Sequence, residues 1–556
     1  YHQFNMSICI LFSVIIYMLS VCCAKNPVLQ TRYGAIKGFN TLSIRKTEIE
    51  AFLGIPYAKA PIGDLRFKPP KPVEEWSGVY DCTKDGPACP QYDYVFYKRV
   101  VGQEDCLKLN VYRPKVRTSN HKLPVMVFIY GGGFNIGFAS SAIYVPGFLV
   151  THDVILVTFN YRVGPFGFLS TEDEYAPGNA GLHDQIEALK WVKQNIDVFG
   201  GDPDSVTLFG ESAGAASVHF LMISPLSQGL FHRAICQSGT AFSPWAKHAL
   251  PIKESAEKLG RMFNCSTRNS QVLVECLRDV NAQEMAGATT ALWEWGKLPF
   301  PFGPRVDKEA ENPVLPENPE DMIKNGKFAK IPLLLGINKD EGIGTTIELL
   351  KNDSQMRVMR EDFDYVCALN LNIQGSGEDI TSICKRVREY YLDGKPLDAS
   401  QKDAITELYS DVWFISNAIQ SANWHSLYAP TYFYMLVYSG RFSVATIFTG
   451  ERINGVSHGD ELLYLFGPNQ VTPIRQGDPE YKMVDKMTTK WVHFATYGDP
   501  TPGGKPFKWP RYTFEEKQYV KLDLKSSVDS NLKPEVLAFF QSIYKWPVPY
   551  PAREEL

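Results

Sequence analysis

Several features are scarce or missing in this sequence, and each absence excludes a class of protein. The 556 residues carry 57 basic and 61 acidic side chains and no long basic run, which disfavours a nucleic-acid partner. There is no Cys-x-x-Cys pair and there are only 10 histidines, so no metal site is expected. No repeat, low-complexity tract or Pro/Ser-rich linker divides the chain. The apolar fraction of 44% is ordinary for a globular protein, so a large core is available.

Only the N-terminal stretch contains a long uncharged apolar run. Met6 is the predicted start, and Cys22-Cys23-Ala24 ends the run with the small residues of a cleavage site. Residues 1–24 are therefore predicted to be a signal peptide, with a membrane anchor as the alternative. No later segment is apolar enough to span a bilayer. The chain ends in Arg-Glu-Glu-Leu, so secretion is the prediction and retention in the ER lumen the alternative.

Entry into the secretory pathway predicts disulfides and glycans. Cys265 and Cys276 bracket a short loop, which a bridge would stabilise by about 3 kcal/mol. Cys236 lies inside the apolar run RAICQSG and is predicted to be a free, buried thiol. Asn264 and Asn352 begin Asn-x-Ser sequons and are predicted glycosylation sites.

Apolar runs of strand length alternate with amphipathic helical segments along most of the chain. This alternation predicts an α/β fold in which a mostly parallel central sheet is flanked by helices on both faces. We expect a single domain over residues 25–556, with long insertions around 240–320 and 340–430. The predicted strands are KLPVMVFIY, VILVTFNY, SVTLFG, HRAICQS, IPLLLGI and TYFYMLVY, and the predicted helices are GLHDQIEALKWVKQNI, AGAASVHFLMI, YKMVDKMTTKWVHFAT and KPEVLAFFQSIY.

The segment SVTLFGESAGAAS, residues 205–217, places a serine between a predicted strand and a predicted helix. Gly210 and Gly214 have no Cβ, so the backbone can turn sharply around Ser212. A Gly-x-Ser-x-Gly turn between a strand and a helix is typical of a nucleophile elbow, and a plain tight turn is the alternative. Ser212 is the candidate nucleophile.

Three glycines follow the predicted strand VMVFIY and provide candidate donors for an oxyanion. A simple glycine hinge is the alternative interpretation. Upstream of a nucleophile elbow, however, such a triplet is typical of an oxyanion loop. We therefore assign the oxyanion hole to the backbone N–H groups of Gly132, Gly133 and Ala213.

A nucleophilic serine also needs a base and an acid that orients the base. In this type of fold they follow the nucleophile in the order acid, then histidine. The segment NKDEG offers Asp340 and Glu341, and the residues alone do not choose between them. His458, in GVSHGDEL, is the strongest base candidate, whereas His219 lies about two helical turns beyond Ser212.

The chain resembles the type-B carboxylesterase/cholinesterase family of α/β hydrolases, and most of all its secreted insect carboxylesterases. The resemblance runs in the family's order from about residue 28 to the C-terminus. It implies Ser212 as the acyl-forming nucleophile, Glu341 as the acid, His458 as the base, and no metal or organic cofactor. The matching segments are FLGIPYAKAPIGDLRF, EDCLKLNVYRP, YGGGF, NYRVGPFGFLS, GNAGLHDQ, FGESAGAASVH, NKDEG and GVSHGDEL.

The same resemblance assigns supporting roles to other residues. It implies the disulfides Cys89–Cys106 and Cys265–Cys276, an ion pair between Arg162 and Glu104, and a serine at 238 that supports the acid. Cys367 and Cys384 could form a further bridge that is specific to this chain. Aromatic candidates for the wall of the acyl pocket, with core packing as the alternative, are Trp245, Phe300 and Phe302.

Departures from the family pattern bear on the substrate. Tyr130, before the glycines, is shared with cholinesterases, but the segment 89–106 lacks the tryptophan that binds a quaternary ammonium. Juvenile-hormone esterases usually carry Gln where this chain has Glu211. The resemblance therefore favours a serine carboxylesterase for broad or lipophilic esters, including xenobiotic esters, with organophosphates as plausible inhibitors. A cholinesterase and a non-catalytic adhesion protein of the same fold are the alternatives.

Overall fold

The computed structural model describes residues 26–116, 121–248, 251–374, 377, 379–467, 473–505, 507–546 and 548. The predicted signal peptide and the C-terminal Arg-Glu-Glu-Leu lie outside the described residues, so both stay predictions.

Sixteen strands are present in the described parts of the chain, and they are numbered here in chain order. They are β1 Val28–Gln30, β2 Ala35–Lys37, β3 Phe39–Leu42, β4 Glu48–Pro56, β5 Val79–Asp81, β6 Gln91–Asp93, β7 Arg99–Val101, β8 Lys108–Pro114, β9 Leu123–Ile129, β10 Ile155–Phe159, β11 Gly201–Glu211, β12 Arg233–Gln237, β13 Leu333–Asn338, β14 Thr431–Leu436, β15 Gln518–Leu522 and β16 Ser527–Ser530.

Eleven of these strands form one central sheet in the order β16-β15-β14-β13-β12-β11-β9-β10-β8-β4-β3. The pairings from β10 through β9 and β11 to β15 are all parallel. Antiparallel pairs close both edges, where β3, β4 and β8 lie on one side and β16 on the other. The predicted mostly parallel α/β sheet is confirmed, and the antiparallel edges are additions to it.

Helices flank the sheet, as the alternating pattern predicts. Among the described residues, no helix combines the length and apolarity needed to cross a bilayer. The α-helices are Gly164–Phe168, Ala180–Asn195, Ala213–Ile223, Ile252–Met262, Ser270–Asp279, Ala282–Ala288, Pro319–Lys324, Ile343–Leu350, Asp353–Glu361, Phe363–Leu371, Ile380–Leu392, Lys402–Ser410, Ser416–His425, Ala445–Thr449, Tyr481–Tyr497 and Pro534–Tyr544, and Asp411–Ile415 is a π-helix.

Three disulfides cross-link the described residues. They join Cys89 to Cys106, Cys265 to Cys276 and Cys367 to Cys384, the last in the region around 340–430 where an insertion is predicted. Cys82 and Cys236 are free and buried, and Cys236 lies on β12 as its apolar neighbours predict.

The two sequons differ in their surroundings. Asn264 is exposed. Asn352 is half-buried and caps the helix Asp353–Glu361, where its side-chain oxygen accepts a hydrogen bond from the Gln355 amide at 3.1 Å. Asn264 is therefore the more accessible of the two predicted glycan sites.

The predicted ion pair between Arg162 and Glu104 is wrong. Arg162 instead makes a bidentate pair with Asp184, with both N–O distances at 2.7 Å, while Glu104 pairs with Arg66 at 2.6 Å. The reason is topological. Arg162 follows β10 and faces the helix Ala180–Asn195, whereas the loop closed by Cys89–Cys106 brings Glu104 to the N-terminal part of the chain.

The Arg162–Asp184 pair yields a prediction about stability. Both side chains are at most 2% exposed, so Asp184→Ala leaves a buried guanidinium without its partner. We expect the free energy of unfolding in urea to fall by roughly 3–5 kcal/mol. Asp204→Ala, which breaks the exposed Lys193–Asp204 pair, is the matched control and should change nothing measurable. Equal effects of the two variants would contradict the prediction.

Candidate active site

Ser212 occupies a sharp turn between β11, which ends at Glu211, and the helix that begins at Ala213. Its backbone has φ 57° and ψ −124°, a strained conformation for a residue with a side chain. A Cβ on Gly210 would lie 2.5 Å from the carbonyl carbon of Gly214, and one on Gly214 would lie 2.0 Å from the Ile129 oxygen. The turn therefore closes only because both flanking positions are glycine.

Glu341 and His458 meet although 117 residues separate them, with Glu341 Oε2 lying 2.8 Å from His458 Nδ1. The other oxygen of Glu341 accepts hydrogen bonds from Ser238 Oγ at 2.5 Å and from the Asn338 amide at 2.7 Å. Asp340 points elsewhere and accepts the Val456 amide at 3.0 Å. The structure thus brings Glu341, not Asp340, to the imidazole.

A third acidic residue, Glu211, contacts the other side of the imidazole. Its Oε1 lies 3.0 Å from His458 Nε2. A Cβ built on Gly131 would lie 2.7 Å from Glu211 Oε2 and 2.8 Å from Ser212 Cβ, so the carboxyl group and the serine side chain border the same point. Within the part of the chain that the structure describes, no hydrogen bond joins His458 to Ser212 Oγ. Such bonds commonly form only when substrate is bound.

Buried charge makes this imidazole unusually basic. Burial lowers the pKa of His458, but the carboxylates of Glu211 and Glu341 outweigh it and raise that pKa to about 9. Burial also raises the pKa of Glu211, and the protonated His458 opposes that rise by stabilising the Glu211 carboxylate. The negative charges of Glu211, Glu341 and Glu461 together favour the protonated form of the imidazole.

The loop after β9 folds back on itself beside Ser212. Gly132 and Gly133 have φ values of 119° and 60°, and the Gly132 carbonyl accepts the amides of Asn135 and Ile136 at 3.1 Å each. A Cβ on Gly132 would lie 2.2 Å from the Ile136 oxygen, so a side chain is excluded there. Ala213 begins the helix that follows Ser212, so its N–H group is one of those that a helix start leaves without an intrahelical partner.

Two of the three predicted wall aromatics lie beside the site. A Cβ on Gly133 would be 3.2 Å from the Phe300 ring, and a Cβ on Gly239 would be 3.2 Å from the Trp245 ring and 2.2 Å from the backbone carbonyl oxygen of Ser212. Phe302 is fully buried, with its ring 6.0 Å from that of His248.

Sequence reasoning missed two features of the site. Phe414 lies 4.4 Å from the His458 ring, ring centre to ring centre, and belongs to the π-helix Asp411–Ile415. No local pattern marks it, since an aromatic residue in an apolar helix predicts only core. Glu211 carried a signal, because it is an acidic residue inside the elbow motif itself.

Comparison with known proteins agrees with this geometry. Residues 25–540 match the model of the carboxylesterase family. The chain is 39% identical to juvenile hormone esterase of Tribolium castaneum over 89% of this chain and 88% of that protein. It is 37% identical to esterase FE4 of Myzus persicae over 86% of each. The crystal structure of juvenile hormone esterase from Manduca sexta, with OTFP covalently attached, superposes with a TM-score of 0.85 at 30% identity, over 94% of this chain and 100% of that one.

The fold and the site define an α/β hydrolase, and the family match covers nearly the whole described chain. The protein therefore belongs to the carboxylesterase family, a family of carboxylic ester hydrolases.

The contact between Glu211 and His458 yields a prediction about pH. As the predicted base, His458 must be neutral to accept a proton, and the Glu211 carboxylate raises the pKa of His458. Glu211→Gln removes that charge, so the pKa falls and the neutral base persists to lower pH. We expect the acid limb of the kcat/KM profile to move down by about one pH unit.

The control for this measurement is Glu187→Gln, at a buried acid on the helix Ala180–Asn195 that is not among the groups acting on His458. Its profile should overlay that of the unaltered protein. An acid limb that stays in place or moves up in Glu211→Gln would contradict the assigned effect of Glu211.

Proposed function

We propose that this protein hydrolyses carboxylic esters through an acyl-enzyme on Ser212, with His458 as the base and Glu341 as the acid that orients it. The observation that carries the proposal is that His458, bonded to Glu341 through Nδ1, contacts through Nε2 the residue directly before Ser212, Glu211, at the strained turn. Ser212, Glu341 and His458 come from three loops that are distant in sequence. A purely structural role for these residues would not require them to meet.

In the proposed first step, His458 Nε2 takes the proton of Ser212 Oγ as that oxygen attacks the ester carbonyl carbon. To do so, Nε2 exchanges its contact with Glu211 for one with Ser212. Glu341 keeps the proton on Nδ1 and stabilises the imidazolium. The negative charge on the carbonyl oxygen is received by the N–H groups of Gly132, Gly133 and Ala213.

Collapse of the tetrahedral intermediate expels the alcohol, which takes the proton from His458. Water then enters, gives a proton to His458 and attacks the acyl carbon. The second collapse releases the carboxylic acid and returns the proton to Ser212 Oγ. The sum is one ester and one water converted into an alcohol and an acid.

The surroundings of the site favour neutral, lipophilic esters. Trp245, Phe300 and Phe414 present apolar surface near the reacting groups. These rings offer apolar burial to an ester, and the charge beside Ser212 is the acidic group of Glu211, which does not attract an anionic substrate.

Tyr92 and Tyr94, two aromatic residues that could replace a choline-binding tryptophan, already pack against other side chains of the protein. Tyr92 and Tyr94 pack edge-on against Trp293, at centroid distances of 6.4 and 5.6 Å. Lys297 Nζ lies 4.9 Å over the Tyr94 ring and 3.1 Å from a carboxylate oxygen of Glu348. The protein's own ammonium thus takes the position that a quaternary ammonium would need.

We further propose that the chain enters the secretory pathway, loses residues 1–24 and works as a single domain over residues 25–556. The three disulfides support this, because such bonds persist in an oxidising compartment.

The nucleophile assignment predicts a large loss of activity. Ser212→Ala should lower kcat for a naphthyl ester on the order of a millionfold, since the covalent route is removed. Ser217→Ala, on the helix that follows Ser212, makes the same change of residue; it removes the hydroxyl that accepts a hydrogen bond from Gln185 and should keep normal turnover. Near-normal turnover in Ser212→Ala would refute the proposal. One equivalent of paraoxon should silence the unaltered enzyme.

The substrate assignment predicts an order of preference. We expect kcat/KM for naphthyl acetate to exceed that for acetylthiocholine, because Lys297 already occupies the Tyr94 face that could otherwise bind the choline cation. Juvenile hormone should be included, since relatives named for that activity match most of the chain. A strong preference for acetylthiocholine would favour a cholinesterase, which Tyr130 by itself suggests, and a strong preference for juvenile hormone would narrow the substrate class.

A further inference from the structure

The backbone that carries the proposed oxyanion donors is fixed by two tyrosines that bond to each other reciprocally. Tyr130 follows β9, directly before the three glycines, and Tyr161 follows β10, the neighbouring parallel strand. Tyr161 Oη donates to the Tyr130 carbonyl at 3.0 Å, and Tyr130 Oη donates to the Tyr161 carbonyl at 3.0 Å. The Tyr161 amide also donates to Tyr130 Oη at 3.2 Å.

This pair is rigid and shielded from water. The two rings stack with centroids 4.5 Å apart and planes inclined by 18°. Tyr130 is 1% exposed and Tyr161 is fully buried. Since water does not reach these carbonyls, removing one hydroxyl leaves a buried backbone acceptor without its donor.

The Tyr130 ring also packs inside the oxyanion loop. A Cβ on Gly137 would lie 2.4 Å from the ring, and both backbone polar groups of Gly137 are bonded to the side chain of Gln91, at 2.6 and 2.9 Å. The middle of the loop is held too, because the Gly164 amide donates to the Phe134 carbonyl at 2.7 Å. The loop is thus fixed at its start, middle and end, and the Tyr130 carbonyl sets the plane of the peptide that leads into Gly131.

We infer that Tyr161 and Tyr130 are positioning residues for the oxyanion hole. The Tyr161 hydroxyl orients the Tyr130–Gly131 peptide, and through it the N–H groups of Gly132 and Gly133, toward the oxygen on which charge develops. Neither hydroxyl touches substrate. The inference rests on the proposed acyl-enzyme mechanism and adds to it the residues that set its electrostatic geometry.

The test is the isosteric variant Tyr161→Phe, with kcat expressed per active site titrated by a fluorophosphonate. We expect kcat for naphthyl acetate to fall about 10- to 100-fold while KM changes less than about threefold, because the donors act on the transition state. The affinity for an aryl trifluoromethyl ketone, which forms a tetrahedral adduct with a serine, should fall by the same factor as kcat/KM.

A matched control separates positioning from general stability. Tyr512→Phe removes another buried tyrosine hydroxyl, which bonds to Asn423 at 2.7 Å, and should lower the melting temperature without changing kcat or ketone affinity. Tyr130→Phe tests the same pair by removing the other hydroxyl, which donates to the Tyr161 carbonyl. Because both single variants break one unit, the double variant should lose no more than about threefold beyond the larger single loss.

The inference is overturned if Tyr161→Phe and Tyr130→Phe keep normal kcat per titrated site, or if only KM rises. Failure of the proposed function would look different, since the unaltered protein would then not be titrated and would hydrolyse no ester. Normal titration and turnover of the unaltered protein, with unchanged variants, rejects the positioning role alone.

Discussion

The hydrogen bond between Glu341 and His458 is the constraint on which the rest of the site depends. A carboxylate that is 2% exposed is stable only when its oxygens are fully bonded, and here Ser238, the Asn338 amide and the imidazole supply those bonds. The loop that carries His458 is therefore held against the end of β13. Without this bond neither the orientation nor the basicity of the imidazole would be fixed.

The order of the strands explains why the necessary groups come together. Strands β9, β11, β12 and β13 are successive parallel neighbours, so the residues that follow their carboxyl ends lie side by side. Those residues are the glycine loop, Ser212, Ser238 and Glu341. Ser238 follows β12, which lies between β11 and β13 in the sheet, and its hydroxyl therefore reaches Glu341 at the end of β13. Brought together at one edge, these loops create the site usual for an open α/β sheet.

The acidic groups around His458 make the imidazole a stronger base, but they also keep it protonated over a wider pH range. In the proposed mechanism Glu341 stabilises the imidazolium that forms when Ser212 gives up its proton, but Glu211 and Glu461 add further acidic groups within the same buried space. They raise the pKa of the resting imidazole and keep it protonated to higher pH. The proposed base is therefore strong, but it is neutral, and so able to accept a proton, only at higher pH.

The sequence by itself determined the class of fold, the elbow at Ser212 and the segments that hold the glycine loop and His458. These features are local. The periodicity of strands and helices, and the glycines of a tight turn, can be recognised within a short stretch of consecutive residues. Residues alone left Asp340 and Glu341 open, and the predicted partner of Arg162 was wrong, since a buried charge takes its partner from packing across the chain. Only the tertiary structure decided the contact of Glu211 with His458, the approach of Phe414 and the pairing of Tyr130 with Tyr161. Each of these contacts joins residues from different segments of the chain. The residue pattern within one segment does not determine how far that segment lies from another.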